Sequence, residues 1–296
     1  MDVAMTEPTL SARTLEDIEL DLLLEAIYQR SHYDFRGYSR ASLARRMEQA
    51  RQHFGCASLS MLQHRLLHDP SVFHNLLNFL TVQVSELFRD PAYYRVLREQ
   101  VLPHLRTYPS LKVWVAGCSD GEELYSLAIL FREEGLEART IFYATDINPD
   151  ALRKAETGIY AIDRLPQFTE NHRASGAKTS LSDYYTAAYG AAVFDKSLRA
   201  QTVFSQHSLV SDQVFAEVHL ISCRNVLIYF DRQLQDRAFG LFEQSLVRGG
   251  FLGLGMQETM SFSGYTAHFD SFASKEKIYR RHARCPADRG VLNGVS

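Results

Sequence analysis

The sequence predicts an α/β protein in which an all-helical N-terminal domain precedes a Rossmann-like domain with a small β accessory insertion. Three observations support this prediction. The length of 296 residues suggests two domains, at about 150 residues per domain. Apolar residues recur at helical spacing from Leu15 to about Leu87. From Leu111 onward, short apolar runs alternate with helical stretches, as in a parallel sheet covered by helices.

Composition excludes several classes of protein. The 32 Lys and Arg residues are outnumbered by 35 Asp and Glu residues, so the chain lacks the overall positive charge of a nucleic-acid-binding protein. Its longest apolar runs, such as residues 251–256, are far shorter than the roughly 18 residues of a membrane span. Residues 1–12 contain neither the basic nor the apolar segment of a secretory signal, so we expect a cytoplasmic protein.

The spacing of cysteines and histidines predicts no metal site. His64 and His68 have the i, i+4 spacing of some metal ligands, but no acid of a matching motif lies nearby, which favours a solvated helix face. The cysteines have the spacing of neither zinc ligands nor a disulfide framework. We expect all four to be reduced thiols: Cys56, Cys118, Cys223 and Cys285.

The helical domain is predicted over residues 13–90. One helix begins after Ser39, which suits the N-cap, and ends at Gly55, which readily adopts the positive φ found after helices. Between residues 31 and 65, six arginines stand against two acids, a local excess of four positive charges. This allows two interpretations, a solvated helix face or a docking surface for an acidic protein. The docking interpretation rests on Arg40, Arg45, Arg46 and Arg51.

The Rossmann-like domain is predicted over residues 91–282. A polar stretch interrupts its alternation, and there we expect a small β unit at about residues 180–205, whose hairpin strands end at Val203 and Phe204. Residues 283–296 have little to bury and are predicted to be a flexible tail. The candidate strands of the main sheet are residues 112–116, 140–144, 218–223, 251–256, 267–271 and 277–280.

A glycine loop follows the first of these strands and leads into a helix over residues 124–133. Such a loop, with Gly117 at the strand end, is typical of a nucleotide-type crevice. Three acids, Asp120, Glu122 and Glu123, stand where a phosphate would otherwise bind the helix N-terminus. They would repel a phosphate by roughly 1 kcal/mol or more per contact at 4 Å. The loop therefore favours a phosphate-free ligand with a cationic end, such as S-adenosylmethionine.

Asp146 ends the second strand, about 25 residues after the loop. An acid at this position can accept hydrogen bonds from both ribose hydroxyls of an adenosine ligand. It can also cap the helix that starts near Pro149. The order of loop and acid favours ribose binding.

Several motifs resemble those of the chemoreceptor glutamate O-methyltransferases, the CheR type. The resemblance implies an N-terminal helical domain that docks on the receptor bundle and a class I methyltransferase domain that binds S-adenosylmethionine. It extends from about Tyr33 to Arg281, and its most specific motif is the run Cys-Arg-Asn-Val-Leu-Ile-Tyr-Phe-Asp at residues 223–231. The other motifs are residues 82–90, 116–126, 144–147, 158–160 and 277–279.

The resemblance also implies which residues contact the cofactor. Two of them depart from the family's common pattern, since Gln83 and Ser208 stand where Asn is frequent. These departures concern individual hydrogen bonds and leave the implied site unchanged. The implied cofactor contacts, beside Gly117 of the loop, are Gln83, Ser85, Arg89, Glu123, Asp146, Ser208, Leu209, Arg224 and Asn225.

The implied reaction is methyl transfer to a glutamate side chain, which gives methyl esters for signalling adaptation. A glutamate carboxylate is ionised at pH 7, so the reaction requires no general base. Arg89 could orient that carboxylate. Tyr229 lies four residues after Asn225, and on a helical turn both would point into one crevice. Alternatively, Tyr229 is a packed aromatic residue with a satisfied hydroxyl group.

One further feature of the resemblance concerns a partner. Family members that grip a receptor C-terminal peptide have a glycine-rich turn after a Tyr-Phe pair in the β unit. Here residues 184–193 contain a single glycine, so we expect no peptide tether. Two other functions stay open: a non-catalytic S-adenosylmethionine-sensing adaptor that docks on receptors, and a carboxyl methyltransferase for small molecules.

Overall fold

The computed structural model describes residues 13–283, and the chain divides into two compact units between Leu80 and Thr81. The division comes ten residues before the expected boundary at 90. Residues 81–90 belong to the second unit because Leu87 and Phe88 are fully buried in its core. The expectations for residues 1–12, the tail after 283 and Cys285 fall outside the described residues.

The first unit consists of four helices, as the periodicity predicts. The first begins at a capping box, in which Thr14 and Asp17 each bond to the backbone of the other. Ser39 does precede the second helix, although its side chain makes no capping hydrogen bond, and Gly55 follows that helix with a φ of +62°. The helices are α1 (Leu15–Ser31), α2 (Arg40–His53), α3 (Leu59–His68) and α4 (Pro70–Leu80).

The second unit alternates strands and helices and confirms the α/β prediction. Its helices are α5 (Pro91–Val96), a π-helical turn (Leu97–Val101), α6 (Leu102–Leu105), α7 (Glu122–Glu133), α8 (Pro149–Thr157), α9 (Leu165–Ala174) and α10 (Arg232–Ser245). Its strands are β1 (Leu111–Ala116), β2 (Thr140–Asp146), β3 (Ile159–Ala161), β4 (Tyr185–Ala188), β5 (Ala191–Phe194), β6 (Thr202–Gln206), β7 (Val218–Cys223), β8 (Leu246–Leu254), β9 (Phe269–Ala273) and β10 (Ile278–Arg281).

Seven strands form the main sheet, in the order β6-β2-β1-β7-β8-β10-β9. The five strands from β6 to β8 are parallel, and β10 runs antiparallel to both of its neighbours. The order reverses at β1, whose neighbours β2 and β7 both follow it in sequence. The carboxyl ends of these three strands lie at one edge of the sheet, which is where ligands bind in open α/β sheets.

The accessory β unit is a separate three-stranded antiparallel sheet, in the order β3-β5-β4. Its hairpin joins β4 to β5 through Tyr189 and Gly190, which have φ values of +50° and +76°. Two positive φ values suit the tight two-residue turn of a hairpin. The expectation that Val203 and Phe204 end the hairpin strands is wrong. Both residues lie in β6, which extends the main sheet by parallel pairing with β2.

The main core lies between the large sheet and its helices. The largest fully buried side chains among the described residues include Trp114, Tyr93 and Tyr125. None of the helices within residues 13–283 has both the length and the apolar character that a membrane crossing requires.

Candidate functional site

The loop after β1 bends back against the end of β2. The backbone N–H groups of Gly117 and Cys118 both donate to the carbonyl oxygen of Thr145, at 2.8 and 2.9 Å. Gly117 has a φ of +77°, and a Cβ atom there would lie 2.5 Å from Cγ2 of Val226. Glycine is therefore required on both backbone and steric grounds. The loop packs closely against the segment that follows β7.

Asp146 ties this loop to the helix that follows β2. Its Oδ2 accepts the backbone N–H of Ser119 at 2.9 Å, and its Oδ1 accepts that of Asn148 at the same distance. Asn148, and not Asp146, is the residue that caps α8. The capping interpretation of Asp146 is therefore wrong. Burial raises the pKa of the Asp146 carboxyl, and the backbone hydrogen bonds oppose that shift.

Three acids cluster where α7 begins, as the sequence predicts. Burial raises the pKa of Asp120, Glu122 and Glu123. Each of them has one buried carboxylate oxygen without a hydrogen-bond partner among the described residues. Buried acceptors without partners are costly in a folded protein, so the cluster is arranged to receive hydrogen-bond donors or a positive charge.

Arg224 lies buried beside this cluster. Its Nη2 atom donates to the carbonyl oxygen of Arg89 at 3.0 Å and to the Asp90 carboxylate at 2.7 Å. Its guanidinium carbon lies 4.2 Å from the centre of the Tyr93 ring. Its Nη1 atom lies 3.8 Å from Oε2 of Glu123, which is beyond hydrogen-bond distance. Nη1 and Nε lack hydrogen-bond partners among residues 13–283 and can receive acceptor oxygens.

The segment around Arg89 has an unusual backbone. Phe88 and Asp90, on either side of it, have φ values of +51° and +58°. A positive φ is rare for a bulky residue such as Phe and marks positions where tertiary structure imposes the conformation. The half-buried Arg89 side chain makes no hydrogen bond or ion pair with any described residue, although Glu123 lies within electrostatic range. Nearby, Gln83 accepts a 2.6 Å hydrogen bond from the Ser119 hydroxyl group.

Ser85 contributes its carbonyl oxygen rather than its hydroxyl group to the observed contacts. That oxygen accepts a hydrogen bond from Arg164, which also pairs with Glu122 at 2.7 Å. Arg164 lies directly before α9, with its guanidinium carbon 4.7 Å from the centre of the Phe168 ring. It therefore joins the 81–90 segment to the start of α7.

Ser208 and Leu209 follow β6 and lie next to the Asp146 backbone. The residue before Ser208 donates its backbone N–H to the carbonyl oxygen of Asp146 at 3.2 Å. The Ser208 hydroxyl oxygen accepts the backbone N–H groups of Val210 and Ser211, at 3.2 and 3.3 Å. Leu209 is buried. The serine thus shapes a turn at the edge of the crevice.

The segment after β7 differs from the helical turn that the sequence analysis assumed. Asn225 has a φ of +61°, and a short 3₁₀ helix begins only at Leu227 and ends at Tyr229. The inference that Asn225 and Tyr229 lie on one helical turn is therefore wrong, because the left-handed residue interrupts it. The backbone N–H groups of Asn225 and Leu227 both donate to the carboxylate of Glu258.

Sequence reasoning missed two residues of the site, Glu258 and Arg164. Both act on loops that are distant in the sequence. One signal for Glu258 was available, since it lies four residues beyond β8, whose carboxyl end adjoins that of β7. No motif pointed to Arg164, whose contacts depend on the packing of α9.

The four arginines of the predicted docking surface have different environments. Arg46 is buried and donates to the carbonyl oxygens of Leu80 and, at 3.2 Å, Ser42. The prediction that Arg46 offers a charge to a partner is therefore wrong, because its guanidinium is used inside the helical unit. Arg45 is exposed and has no side-chain hydrogen bond or ion pair with any residue from 13 to 283.

Of the other two arginines, Arg40 is exposed and Arg51 is half-buried, and both are partly neutralised by neighbours. Arg40 pairs with Asp17 and Asp21 of α1. Arg51 pairs with Glu48 at 2.6 Å. The positive excess counted between residues 31 and 65 is thus reduced by acids that lie earlier in the sequence.

Comparisons with known proteins agree with this architecture. A family model described as "CheR methyltransferase, SAM binding domain" matches residues 83–278, and one described as "CheR methyltransferase, all-alpha domain" matches residues 18–81. A Pseudomonas putida protein provisionally named methyltransferase Cher3 is 53% identical over 265 residues, which cover 90% of this chain and 97% of that protein. The chemotaxis protein methyltransferases of Listeria innocua and Salmonella typhimurium are 34% and 27% identical, covering 65% and 83% of this chain and 71% and 85% of theirs.

The residues of the crevice fit S-adenosylmethionine. The unpartnered acid oxygens can receive its ammonium group, and the unpartnered nitrogens of Arg224 can receive its carboxylate. Within residues 117–123 there is no lysine or arginine to bind a phosphate, which this cofactor lacks. The chain belongs to the CheR methyltransferase family and uses S-adenosylmethionine as its cofactor.

Proposed function

We propose that the chain transfers a methyl group from S-adenosylmethionine to glutamate side-chain carboxylates of a chemoreceptor, a methyl-accepting chemotaxis protein. The observation that carries this proposal is the Arg89 guanidinium. It is half-buried, without a hydrogen bond or ion pair among the described residues, and within electrostatic range of Glu123. An arginine in this situation suits an incoming carboxylate, which it can bind through two hydrogen bonds.

The cofactor would be held by both walls of the crevice. Glu123 and Arg224 carry opposite charges on one side and match the ammonium and carboxylate groups of an amino acid. Asp146 uses one acceptor site on each oxygen for the backbone, which leaves capacity for ribose hydroxyl groups. We assign the remaining contacts to Gln83, Ser85, Arg89, Gly117, Ser208, Leu209 and Asn225.

The chemistry needs positioning rather than proton transfer. The bound cofactor supplies an electrophilic methyl group on a sulfonium. A glutamate carboxylate is a competent nucleophile at pH 7 without a base. Arg89 would orient the carboxylate, and Tyr229 would line the acceptor side of the crevice as the second catalytic residue. Holding the two reactants in line can supply roughly 7 to 11 kcal/mol in favourable cases.

The helical unit would bind the cytoplasmic helical bundle of a receptor in a membrane array. Arg45 supports this partner because its charge is exposed and unneutralised, and Arg40 and Arg51 add partly neutralised charge. The accessory hairpin turns through only Tyr189 and Gly190, so we propose that a receptor C-terminal peptide does not tether this protein.

The direct test is transfer of a radiolabelled methyl group to receptor-containing membranes. We expect base-labile label on the receptor. We expect Arg89→Ala to lose transfer but to bind S-adenosylhomocysteine with only the weakening that the loss of one cofactor contact causes. Cofactor binding without any label would favour the non-catalytic adaptor. Methylation of free acids without receptor would favour a small-molecule enzyme. Tight binding of a receptor C-terminal peptide in calorimetry would contradict tether independence.

A further inference from the structure

We propose that Glu258 is a positioning residue of the cofactor crevice, which acts by fixing the backbone of Asn225 and the start of the 3₁₀ helix that carries Tyr229. This inference rests on the proposed function only for the roles of Asn225 and Tyr229. None of the motifs that define the site includes Glu258. It lies in the loop after β8, and the two residues that it bonds after β7 are 33 and 31 positions earlier in the sequence.

The Glu258 carboxylate accepts three backbone N–H groups. Oε2 accepts that of Gly255 at 2.6 Å and that of Asn225 at 3.0 Å, and Oε1 accepts that of Leu227 at 2.7 Å. Only 4% of the Glu258 residue is exposed. A single buried side chain therefore connects the ends of two neighbouring strands, β7 and β8.

The contact with Asn225 explains an otherwise unfavourable backbone. Asn225 has a φ of +61°, in the left-handed region that residues other than glycine seldom adopt, although asparagine tolerates it better than most. In this conformation its N–H points at the Glu258 carboxylate. Hydrogen bonds to a charged acceptor are about twice as strong as neutral ones, so they can hold the strained residue in place.

The surroundings leave little room for another arrangement. A Cβ atom on Gly255 would lie 2.8 Å from the Asn225 nitrogen and 2.8 Å from Oε2 of Glu258. The same atom would lie 2.9 Å from Nδ2 of Asn225, so the Asn225 side chain packs directly against this glycine. The backbone at Gly255, the Glu258 carboxylate and the Asn225 side chain thus form one packed cluster, called here the carboxylate clamp.

The clamp also adds negative charge close to Glu123. Glu258 is close enough to raise the pKa of the Glu123 carboxyl, although burial is the larger cause of that shift. Loss of the Glu258 charge would therefore change both the backbone at Asn225 and the electrostatics at Glu123. A test of the proposal must separate these two effects.

The experiment measures S-adenosylhomocysteine binding by calorimetry in the full chain. In Glu258→Gln, an amide nitrogen would face backbone N–H donors, so we expect the Kd to rise about tenfold or more. Glu258→Asp keeps the charge but shortens the reach, and we expect a Kd increase of several-fold. The matched control is Glu243→Gln in α10, which removes a carboxylate that pairs with Arg281 of β10, and its Kd should stay within twofold of wild type.

A double-mutant cycle with Asn225→Ala tests whether Glu258 acts through Asn225. If it does, Glu258→Gln should change the Kd by less than about threefold in the Asn225→Ala background. An effect of threefold or more in that background would overturn the proposal, because it would show that Glu258 affects cofactor binding without Asn225. A Kd within twofold of wild type in folded Glu258→Gln would also overturn it. If Glu258→Gln does not fold, a Kd within twofold of wild type in Glu258→Asp would overturn the proposal.

These outcomes are distinguishable from failure of the proposed function. The readout is binding, so a wild-type chain that binds S-adenosylhomocysteine but methylates no receptor would contradict the proposed function and leave this test intact. Melting temperature is measured in parallel. A lower melting temperature with an unchanged Kd for the folded protein identifies a merely structural role and counts against the proposal.

Discussion

Ser119 donates its backbone N–H to Oδ2 of Asp146 at 2.9 Å, and this bond joins the loop after β1 to the end of β2. Asp146 thus lies between the backbone of the loop after β1 and the backbone that leads into α8, and both must be correctly arranged before a ligand can bind. Each carboxylate oxygen can accept two hydrogen bonds, and the backbone uses one on each. The acid is thus a structural element of the crevice as well as a candidate ligand contact.

Asp146→Asn is expected to weaken S-adenosylhomocysteine binding about tenfold or more. The amide can replace only one acceptor oxygen, and its NH₂ group would face either Ser119 or Asn148, both of which donate. We expect a loss of about 1 to 3 kcal/mol in the free energy of unfolding as well. Calorimetry and chemical denaturation measure the two effects. The control is Asp150→Asn, on the first turn of α8. Binding within twofold of wild type in Asp146→Asn would contradict ribose recognition.

Cofactor binding is expected to strengthen as the pH rises from 5 to 7.5. Burial raises the pKa of Glu122 and Glu123 above the ordinary value of 4.5. Because the pKa of these acids is higher in the folded chain than in the unfolded chain, their protonated forms contribute to the stability of the fold below pH 4.5. This contribution is lost as the pH rises through the folded-state pKa. A bound cation favours the ionised acids, so it should bind more tightly and release protons at higher pH.

Two measurements check this pH dependence. The increase in melting temperature caused by S-adenosylmethionine should be larger at pH 7.5 than at pH 5. Calorimetry in buffers with different ionisation enthalpies should show proton release. Proton uptake, or a stabilisation that is constant across this range, would show that the acids do not face the cationic part of the cofactor.

The sequence could predict the part of the site that follows β1 and β2, because there the strand, loop and acid are contiguous. Gly117 and Asp146 lie where the pattern places them. Val203 and Phe204 misled the prediction because β6 is an edge strand with exposed residues, and its pairing with β2 gives no local signal. Arg46 was misplaced because its carbonyl partner at Leu80 is 34 residues away.

The long sequence separation between partners also explains why Arg164 and Glu258 were missed. Arg164 contacts Ser85 across 79 positions, and Glu258 contacts Asn225 across 33. Such contacts exist only after the sheet order is set. Periodicity identifies strands and helices, but it does not state which loop ends meet. The fold class was therefore predictable, whereas the support behind the site was not.

Gly117→Ala is expected to lower stability and to abolish cofactor binding at micromolar concentration. The added methyl group would clash with Val226, and the positive φ would cost roughly another 1 to 2 kcal/mol. Val226→Ala should restore part of the lost stability in the double variant, because it removes the clash but not the backbone strain. Denaturant unfolding of both single variants and the double variant measures the coupling. If the effects of Gly117→Ala and Val226→Ala on the free energy of unfolding are strictly additive, residues 117 and 226 are not in contact.

Arg164→Ala is expected to destabilise the chain by about 1 to 3 kcal/mol and to weaken cofactor binding. It would leave Glu122, whose side chain is 2% exposed, without its ionic partner, and Ser85 without its donor. Glu122→Gln in the same chain should recover stability, since a neutral amide tolerates burial better. Cofactor binding should not recover, because Ser85 still lacks its donor and the Glu122 charge is lost. Arg153→Ala, at an exposed ion pair, is the control.

The arginines of α2 should separate receptor docking from folding. Arg45→Glu reverses an exposed charge that has no partner within residues 13–283, so we expect the KM for receptor to rise several-fold while S-adenosylhomocysteine binding and melting temperature stay unchanged. Arg46→Ala, by contrast, should lower stability and leave the KM for receptor unchanged. It removes a buried donor to the end of α4, so it should lower the stability of the helical unit by about 1 to 3 kcal/mol.

The salt dependence of receptor methylation further distinguishes an effect on docking from an effect on folding. If Arg45 contributes to an electrostatic encounter with an acidic receptor surface, wild-type methylation should fall as ionic strength rises, and Arg45→Glu should flatten that dependence. Arg45→Lys keeps the charge and should behave like wild type. Methylation kinetics at several salt concentrations measure this. If Arg45→Glu methylates receptors at the wild-type rate and with the wild-type salt dependence, then the exposed arginine face of α2 is merely solvated, and the receptor binds elsewhere on the chain.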